Sequence, residues 1–269
     1  MTLPDGWSTG TLRTNGIDLR YYRTGDPTED APTVVMAHGF YDGGLRWVPL
    51  AEALADDYDV VTYDARGHGK SDAPEDGYGI EDRVGDLVGL VRGLEIEDPV
   101  LVGHSMGAAT VAWAAAEHPS LPRALVLEDP IGMHDTPDVS PDEMAGVVSE
   151  RLDAVADATV DELVAEHYEE WDEAQARRLA TATTQLCPRI AEIAREGYPK
   201  PLRAVFPDIT APTLILRSDG DDDRRTKDGE AVESLADGRL ARFDDAGHYV
   251  LNDAFDAALD EVRAFLERV

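Results

Sequence analysis

The fold of this chain is best predicted from the stretch Val100-Leu101-Val102-Gly103-His104-Ser105-Met106-Gly107-Ala108. The apolar run 100–102 predicts a buried strand, and the alanine-rich run 108–116 predicts a helix. Between them lies Gly-x-Ser-x-Gly, a pattern that is weak when it occurs alone in a loop. With a strand before it and a helix after it, the pattern predicts a nucleophile elbow, a strained turn that presents the Ser105 hydroxyl above a helix N-terminus. The glycines are expected there because the turn leaves little room for a Cβ atom.

Strand and helix signals alternate on both sides of this turn. Asn15-Gly16 between two alternating segments predicts an N-terminal hairpin. Continuous apolar runs, typical of buried parallel strands, and amphipathic helical stretches follow. The strands are predicted at 33–37, 58–63, 99–103, 124–127, 213–216 and 240–243, and the helices at 47–54, 79–94 and 250–266. The sequence therefore predicts an α/β fold whose mostly parallel sheet is covered by helices on both faces.

The alternation stops between residues 131 and 206, where only helix signals occur. Capping-box or N-cap spacing marks three helix starts, at Ser140 with Glu143, at Thr159 with Glu162, and at Asp172 with Gln175. We interpret residues 131–206 as a helical insertion, and residues 1–130 together with 207–269 as the core domain.

The charge balance is extreme, with 55 acidic against 24 basic side chains and a net charge of -31. The acids are spread through every segment, so their mutual repulsion would destabilise the fold at low ionic strength. Molar salt reduces the Debye length to ~3 Å and screens that repulsion. The composition resembles that of proteins from salt-accumulating halophiles, which predicts a cytoplasmic setting. Nucleic acid and anionic membranes are poor partners for such a surface.

Other classes are disfavoured by what the sequence lacks. The first ten residues are polar and carry no signal for secretion, and no run approaches the ~20 apolar residues that a membrane span needs. The single cysteine, Cys187, excludes an internal disulfide and a thiolate metal cluster. No metal-binding or phosphate-binding motif occurs. We expect no cofactor and no metal.

A serine hydroxyl needs a positioned base, and the base needs a carboxylate to orient it. His248 lies in the loop between the last predicted strand and the last helix, where the base is expected. The acid should follow strand 213–216, where four candidates occur: Asp219, Asp221, Asp222 and Asp223. Spacing alone leaves these open.

A tetrahedral intermediate also needs two hydrogen-bond donors for its oxyanion. One is the backbone N–H of Met106, directly after the serine. The loop that follows the first buried strand, His38-Gly39-Phe40, places the N–H of Phe40 as the second donor.

These motifs together resemble the α/β-hydrolase fold superfamily along nearly the whole chain. The likeness is to its cap-bearing branch, which includes esterases, lactonases, carbon–carbon bond hydrolases and perhydrolases. The matching segments are 38–40, 64–72, 103–107, 216–221 and 247–248. By that resemblance the acid is Asp221, with Asp222, Asp223 and Asp129 as alternatives, and residues 131–206 form a cap over the serine.

The resemblance implies a serine hydrolase that acts on a carboxylic ester or a related acyl bond of a small, apolar substrate. Dehalogenases and epoxide hydrolases of this fold carry aspartate at the elbow, so Ser105 disfavours both. Acyl transfer, carbon–carbon bond hydrolysis and peracid formation on the same triad are alternatives. A ligand-binding pseudoenzyme is a further one, because fold alone never determines function.

Overall fold

A computed structural model describes residues 3–25, 31–134 and 139–269 of the chain. Its described strands form one sheet of eight in the spatial order β1-β2-β4-β3-β5-β6-β7-β8. The strands are β1 Ser8–Thr14, β2 Ile17–Thr24, β3 Thr33–Ala37, β4 Asp59–Tyr63, β5 Val100–His104, β6 Ala124–Glu128, β7 Thr213–Ser218 and β8 Gly238–Phe243. The predicted fold class is confirmed.

The first two strands pair antiparallel, β2 continues antiparallel on β4, and every later pairing is parallel. The hairpin turns at Asn15 and Gly16 as predicted, with φ of 45° and 80°. Only residues that tolerate positive φ permit such a turn. The carboxyl ends of β3, β5, β6, β7 and β8 therefore meet at one edge of the sheet.

Helices cover both faces of the sheet. They are α1 Val48–Leu54, α2 Ile80–Gly93, α3 Met106–Glu117, α4 Pro141–Val155, α5 Val160–His167, α6 Glu173–Thr183, α7 Ala191–Glu196, α8 Asp222–Glu233, α9 Val250–Asp253 and α10 Phe255–Leu266. Helices α2 and α3 bury their apolar residues in the core cluster on one face, and α1 and α10 do so on the other. None of the helices in the described ranges has the length and apolarity that crossing a bilayer requires.

The sequence prediction differs from the structure at two helices. The predicted helix 250–266 is broken at Ala254, whose φ of -130° and ψ of 47° are not helical, so α9 and α10 are separate. Helix α8 was not predicted at all. Its start carries a sequence signal nevertheless, because Asp221 occupies the N-cap and Asp222 and Asp223 the first turn, which are positions where carboxylates stabilise helices.

Between β6 and β7 the described residues form helices and loops and contain no strand, as predicted. The three predicted helix starts are observed: Ser140, Thr159 and Asp172 accept hydrogen bonds from the backbone N–H groups of Glu143, Glu162 and Gln175. This helical segment contacts the core at the start of α6, where Gln175 Nε2 donates to the carbonyl of Arg46 at 2.8 Å.

Candidate active site

Ser105 occupies the predicted turn between β5 and α3. Its φ of 51° and ψ of -111° lie outside the regions that side-chain-bearing residues prefer. The turn is held by its surroundings, since Ser105 N–H donates to the carbonyl of Glu128 at 2.9 Å. A Cβ atom on Gly103 would meet the backbone of Gly107, and one on Gly107 would meet the Ala37 carbonyl. Both glycines are therefore required by close backbone packing.

His248 lies in the loop between β8 and α9, with its side chain 47% exposed. Its Nδ1 lies 2.6 Å from Asp129 Oδ2, and its carbonyl accepts a hydrogen bond from His104 Nε2 at 3.1 Å. Since Nδ1 faces the carboxylate, Nε2 is the nitrogen left for proton transfer. Among the described residues Nε2 forms no hydrogen bond with Ser105 Oγ, and contacts of this kind often tighten only when substrate binds.

Asp129 follows β6 directly and is buried. Its φ of 37° belongs to the left-handed region, which aspartate tolerates better than most residues. Its Oδ1 accepts hydrogen bonds from Arg217 at 2.7 Å and from Arg224 at 3.3 Å. Burial by itself raises the pKa of Asp129, but the His248 hydrogen bond and the Arg217 and Arg224 charges outweigh it, and the pKa is lowered. The carboxylate is thus held ionised against the imidazole.

This geometry corrects the expectation that Asp221 faces His248. Asp221 caps α8 and accepts the backbone N–H of Arg224 at 2.8 Å. The neighbouring candidates are engaged on the same helix: Asp219 pairs with Arg225, Asp222 also approaches Arg225, at 3.7 Å, and Asp223 pairs with Lys227 at 2.6 Å. The aspartates after β7 start a helix, so the alternative Asp129 takes the position beside the base.

The two expected oxyanion donors are unpaired. Within residues 3–25, 31–134 and 139–269, the backbone N–H groups of Phe40 and Met106 donate no hydrogen bond. Met106 is the first residue of α3, where no intrahelical acceptor exists. The loop of Phe40 is held by His68, whose Nε2 lies 2.7 Å from the Phe40 carbonyl. Both N–H groups are available for an anionic oxygen.

A buried charged network, which the sequence analysis missed, lies beneath these residues. Asp42 Oδ2 lies 3.1 Å from His104 Nδ1 and 3.8 Å from Arg46 Nε, and Arg46 pairs with Glu128 at 2.9 Å. Burial alone raises the pKa of Asp42, yet His104 and Arg46 overcome it and hold that pKa below its usual range. No local sequence motif predicts this network, because Arg46 and Glu128 lie 82 positions apart in the chain.

The network fixes the segment that carries His248. Tyr249 Oη donates to Asp42 Oδ1 at 3.0 Å, and the N–H of Leu251 donates to Glu128 Oε1 at 2.7 Å. Burial raises the pKa of Tyr249 well above its usual range, so its hydroxyl remains a donor. Together with the His104 hydrogen bond, these contacts fix the backbone from His248 to Leu251.

Aromatic side chains from the insertion lie next to this segment. Trp171 stacks on Tyr168 at 5.2 Å, contacts the Tyr249 ring at 5.2 Å and donates from Nε1 to Asp253 at 3.1 Å. By contrast, Met133 is buried in the core and Tyr198 packs against it. In the part of the chain that the structure describes, no three His, Cys, Asp or Glu side chains are grouped to hold a metal ion.

The chain is similar to known proteins both in sequence and in structure. Residues 32–189 match the profile of the family described as alpha/beta hydrolase fold. A 2-(acetamidomethylene)succinate hydrolase of Mesorhizobium japonicum is 40% identical over 98 residues, which are 36% of this chain and 35% of that protein. Epoxide hydrolase A of Mycobacterium tuberculosis is 41% identical over 128 residues, 42% of this chain and 39% of that protein. The matched stretches thus span well under half of these relatives.

The likeness in three dimensions extends over the whole fold. The crystal structure of the enol-lactonase from Burkholderia xenovorans LB400 is similar with a TM-score of 0.81 and 26% sequence identity. The superposition covers 96% of this chain and 100% of that structure.

Proposed function

We propose that this chain, which belongs to the α/β-hydrolase fold family, is a serine hydrolase that cleaves a carboxylic ester or a related acyl bond through an acyl-enzyme. The observation that carries the proposal is the 2.6 Å contact between His248 Nδ1 and Asp129 Oδ2. It lies at the same sheet edge as the strained Ser105 turn. An oriented base at the same sheet edge as a serine in a nucleophile elbow is the arrangement that nucleophilic acyl transfer needs.

In the first half-reaction His248 Nε2 accepts the Ser105 proton while Oγ attacks the substrate carbonyl carbon. The carbonyl oxygen becomes an oxyanion, which the N–H groups of Phe40 and Met106 stabilise. Asp129 keeps the proton on Nδ1 and stabilises the imidazolium that forms. The tetrahedral intermediate then expels the alcohol, which takes the proton from Nε2, and an ester of Ser105 remains.

In the second half-reaction water gives a proton to His248 Nε2 and attacks the same carbonyl carbon. The bond to Ser105 Oγ breaks, Oγ recovers the proton, and the carboxylic acid leaves. The enzyme returns to its starting protonation state, so the sum is the hydrolysis of one ester to an alcohol and an acid.

For the substrate we propose a small, apolar ester. The aromatic residues Tyr168 and Trp171 support this class, since they lie against Tyr249 directly after the base. The insertion 131–206 then acts as a cap over Ser105. The Burkholderia xenovorans relative is named an enol-lactonase, and a lactone is a cyclic ester. Epoxide opening is not proposed, because the elbow carries serine in place of the aspartate expected for epoxide hydrolases.

We further propose that the enzyme works in concentrated salt within the cytoplasm. The support is its composition, a net charge of -31 spread over the chain, which needs screening for stability.

A panel of p-nitrophenyl and lactone esters of increasing acyl length, assayed in molar potassium chloride, tests the activity. We expect turnover of short esters by the wild type and none above background by Ser105→Ala. Product analysis with added alcohol or peroxide separates hydrolysis from acyl transfer and peracid formation. Absence of turnover across the panel together with tight, Ser105-independent ligand binding would instead indicate a non-catalytic receptor.

A further inference from the structure

A cleft whose lining does not include Ser105, His248 or Asp129 collects positively charged side chains. It has a volume of about 90 Å³, several times the space that one water molecule needs. Strand β2, the loop after β4, the segment 43–46 and helix α6 of the insertion all contribute to its walls. Its cationic lining residues are Arg20, Arg46, Lys70 and Arg178.

Three of these cations have no acidic partner. Within the described residues, no carboxylate oxygen lies within 4.0 Å of the Arg20, Lys70 or Arg178 side chain. The Arg20 guanidinium donates one hydrogen bond, to Thr9 Oγ1 at 3.3 Å, among the described residues. Within the same ranges its Nε is buried without a hydrogen-bond partner. Arg178 only donates to Gln175 Oε1 at 3.2 Å. In a chain with 55 acids against 24 bases, unpaired cations on one cleft are unexpected.

The remaining charged residues of the cleft are Arg46 and Asp64. Arg46 pairs with Glu128. The one acidic lining residue, Asp64, accepts hydrogen bonds from Tyr22 Oη at 2.8 Å and from the backbone N–H groups of Gly44 at 2.8 Å and Lys70 at 3.0 Å. These donors are neutral, so the Asp64 carboxylate keeps its negative charge and offsets one of the three cations, which leaves two positive charges in the cleft.

We propose that this cleft binds a small tetrahedral oxyanion, of the phosphate or sulfate type, between Arg20, Lys70 and Arg178. Three cations against the single Asp64 carboxylate leave two positive charges, which suit a multivalent anion, whereas a single bound carboxylate would leave one of them unmatched. Guanidinium groups bind such anions through paired, charge-assisted hydrogen bonds. Because Arg178 lies on α6 and the other two on the core, the bound anion joins the insertion to the core and stabilises their contact.

The desolvation of Arg178 agrees with this role. Burial lowers the pKa of its guanidinium, with Glu52 and Asp172 acting in the opposite direction from beyond ion-pair distance. A bound anion would place a negative charge within ion-pair distance of this guanidinium, where no carboxylate of the described residues lies.

Calorimetric titration of the full chain with potassium phosphate tests the proposal, in molar potassium chloride at constant ionic strength. We expect saturable binding by the wild type, a higher melting temperature with phosphate, and at least about tenfold weaker binding by the double variant Lys70→Gln/Arg178→Gln. The control is Arg92→Gln, an exposed arginine on α2 that also lacks a carboxylate partner within the described ranges. It should bind phosphate as the wild type does.

Two further measurements distinguish an organic phosphate from the free ion, and binding in the cleft from chemistry at Ser105. Tighter binding of glucose 6-phosphate than of inorganic phosphate identifies an organic phosphate as the occupant, and weaker binding identifies the free ion. Ser105→Ala should bind phosphate unchanged, so a failed esterase assay leaves this test intact. Equal binding by the wild type and the double variant, an equal loss in Arg92→Gln, or acetate binding as tightly as phosphate would each overturn the proposal.

Discussion

His248 Nδ1 and Asp129 Oδ2 lie 2.6 Å apart although 119 positions separate the two residues in the chain. Asp129 is reached from β6 and His248 from the loop after β8, with β7 lying between those two strands in the sheet. Arg217 on β7 bridges the gap by donating to the other carboxylate oxygen at 2.7 Å. The pair is thus the product of three neighbouring strand ends.

The two candidate acids should respond differently to substitution. We expect Asp129→Asn to lower kcat by ~10³–10⁴, because the imidazole loses the carboxylate that sets its tautomer. Asp221→Ala should keep near-native kcat but lose about 1 kcal/mol of stability, since it removes a helix cap. Ester kinetics and melting temperatures measured in the same salt check both. The opposite pattern, with activity lost in the Asp221 variant alone, would return the role to Asp221.

A fluorophosphonate probe should form one adduct with the wild-type chain, on the peptide that contains Ser105. The reason is that only an activated serine reacts at neutral pH. Ser105→Ala should remain unlabelled, and Ser140→Ala, which changes a capping serine outside the site, should be labelled like the wild type. Mass spectrometry of the digested protein gives the result. Full labelling of Ser105→Ala would show that Ser105 is not the residue that reacts with the probe.

The strain at Ser105 predicts a difference in stability between two inactive variants. Its φ of 51° and ψ of -111° are unfavourable for any residue with a Cβ atom, at a typical strain of about 1–3 kcal/mol. Ser105→Ala keeps that strain and Ser105→Gly relieves it. We therefore expect the glycine variant to have the larger free energy of unfolding, by of order 1 kcal/mol after the added freedom of its unfolded chain is subtracted. It should accordingly melt at the higher temperature. Equal melting temperatures would show that the turn stores no strain.

Salt should stabilise the fold. The net charge of -31 is dispersed, so repulsion is strongest at low ionic strength and is screened near molar salt. The melting temperature should rise steadily as potassium chloride increases from millimolar to molar concentration. Sodium chloride serves as the control for a specific potassium effect. A flat or falling profile would remove the proposed halophilic setting.

Acidification should destabilise the protein through buried histidine. His38 accepts the N–H of Ala65 on Nε2 at 2.9 Å, and burial lowers its pKa to about 4. The unfolded value is about 6.5, so the unfolded chain binds more protons between pH 6.5 and 4 and stability falls as pH falls through that window. His68, with a pKa of about 4 for the same reason, acts in the same direction.

Denaturant unfolding at several pH values checks this prediction. His38→Gln should reduce the slope by up to about 1.4 kcal/mol per pH unit, the contribution of one proton. His118→Gln, at the end of α3 and outside this cluster, is the matched control. An unchanged slope in His38→Gln would mean that His38 is protonated in the folded chain as easily as in the unfolded one.

Local signals were enough to predict the fold. Apolar strand runs, the Asn15-Gly16 turn and three capping residues each act over a few positions, and the structure contains every one of them. Ser105 and His248 are predicted as nucleophile and base because each follows a predicted strand, and the structure places both after strands of the sheet. The exposed end of a parallel strand is a position that chain order alone reveals.

The tertiary structure was needed to show which aspartate lies beside His248, because β6 and β7 are adjacent and both are followed by aspartates. The family resemblance favoured Asp221, with Asp129 as an alternative. What decides between them is packing: the Asp129 carboxylate is drawn in by Arg217 and His248, whereas Asp221 accepts the free N–H of Arg224 at the start of α8. The buried pairing of Arg46 with Glu128 likewise joins distant segments of the chain. The cations that line the cleft also come from distant segments. The sequence predicted which residues end the strands. Which of those strand ends lie in contact depended on the folded chain, because burial and charge act through space rather than along the backbone.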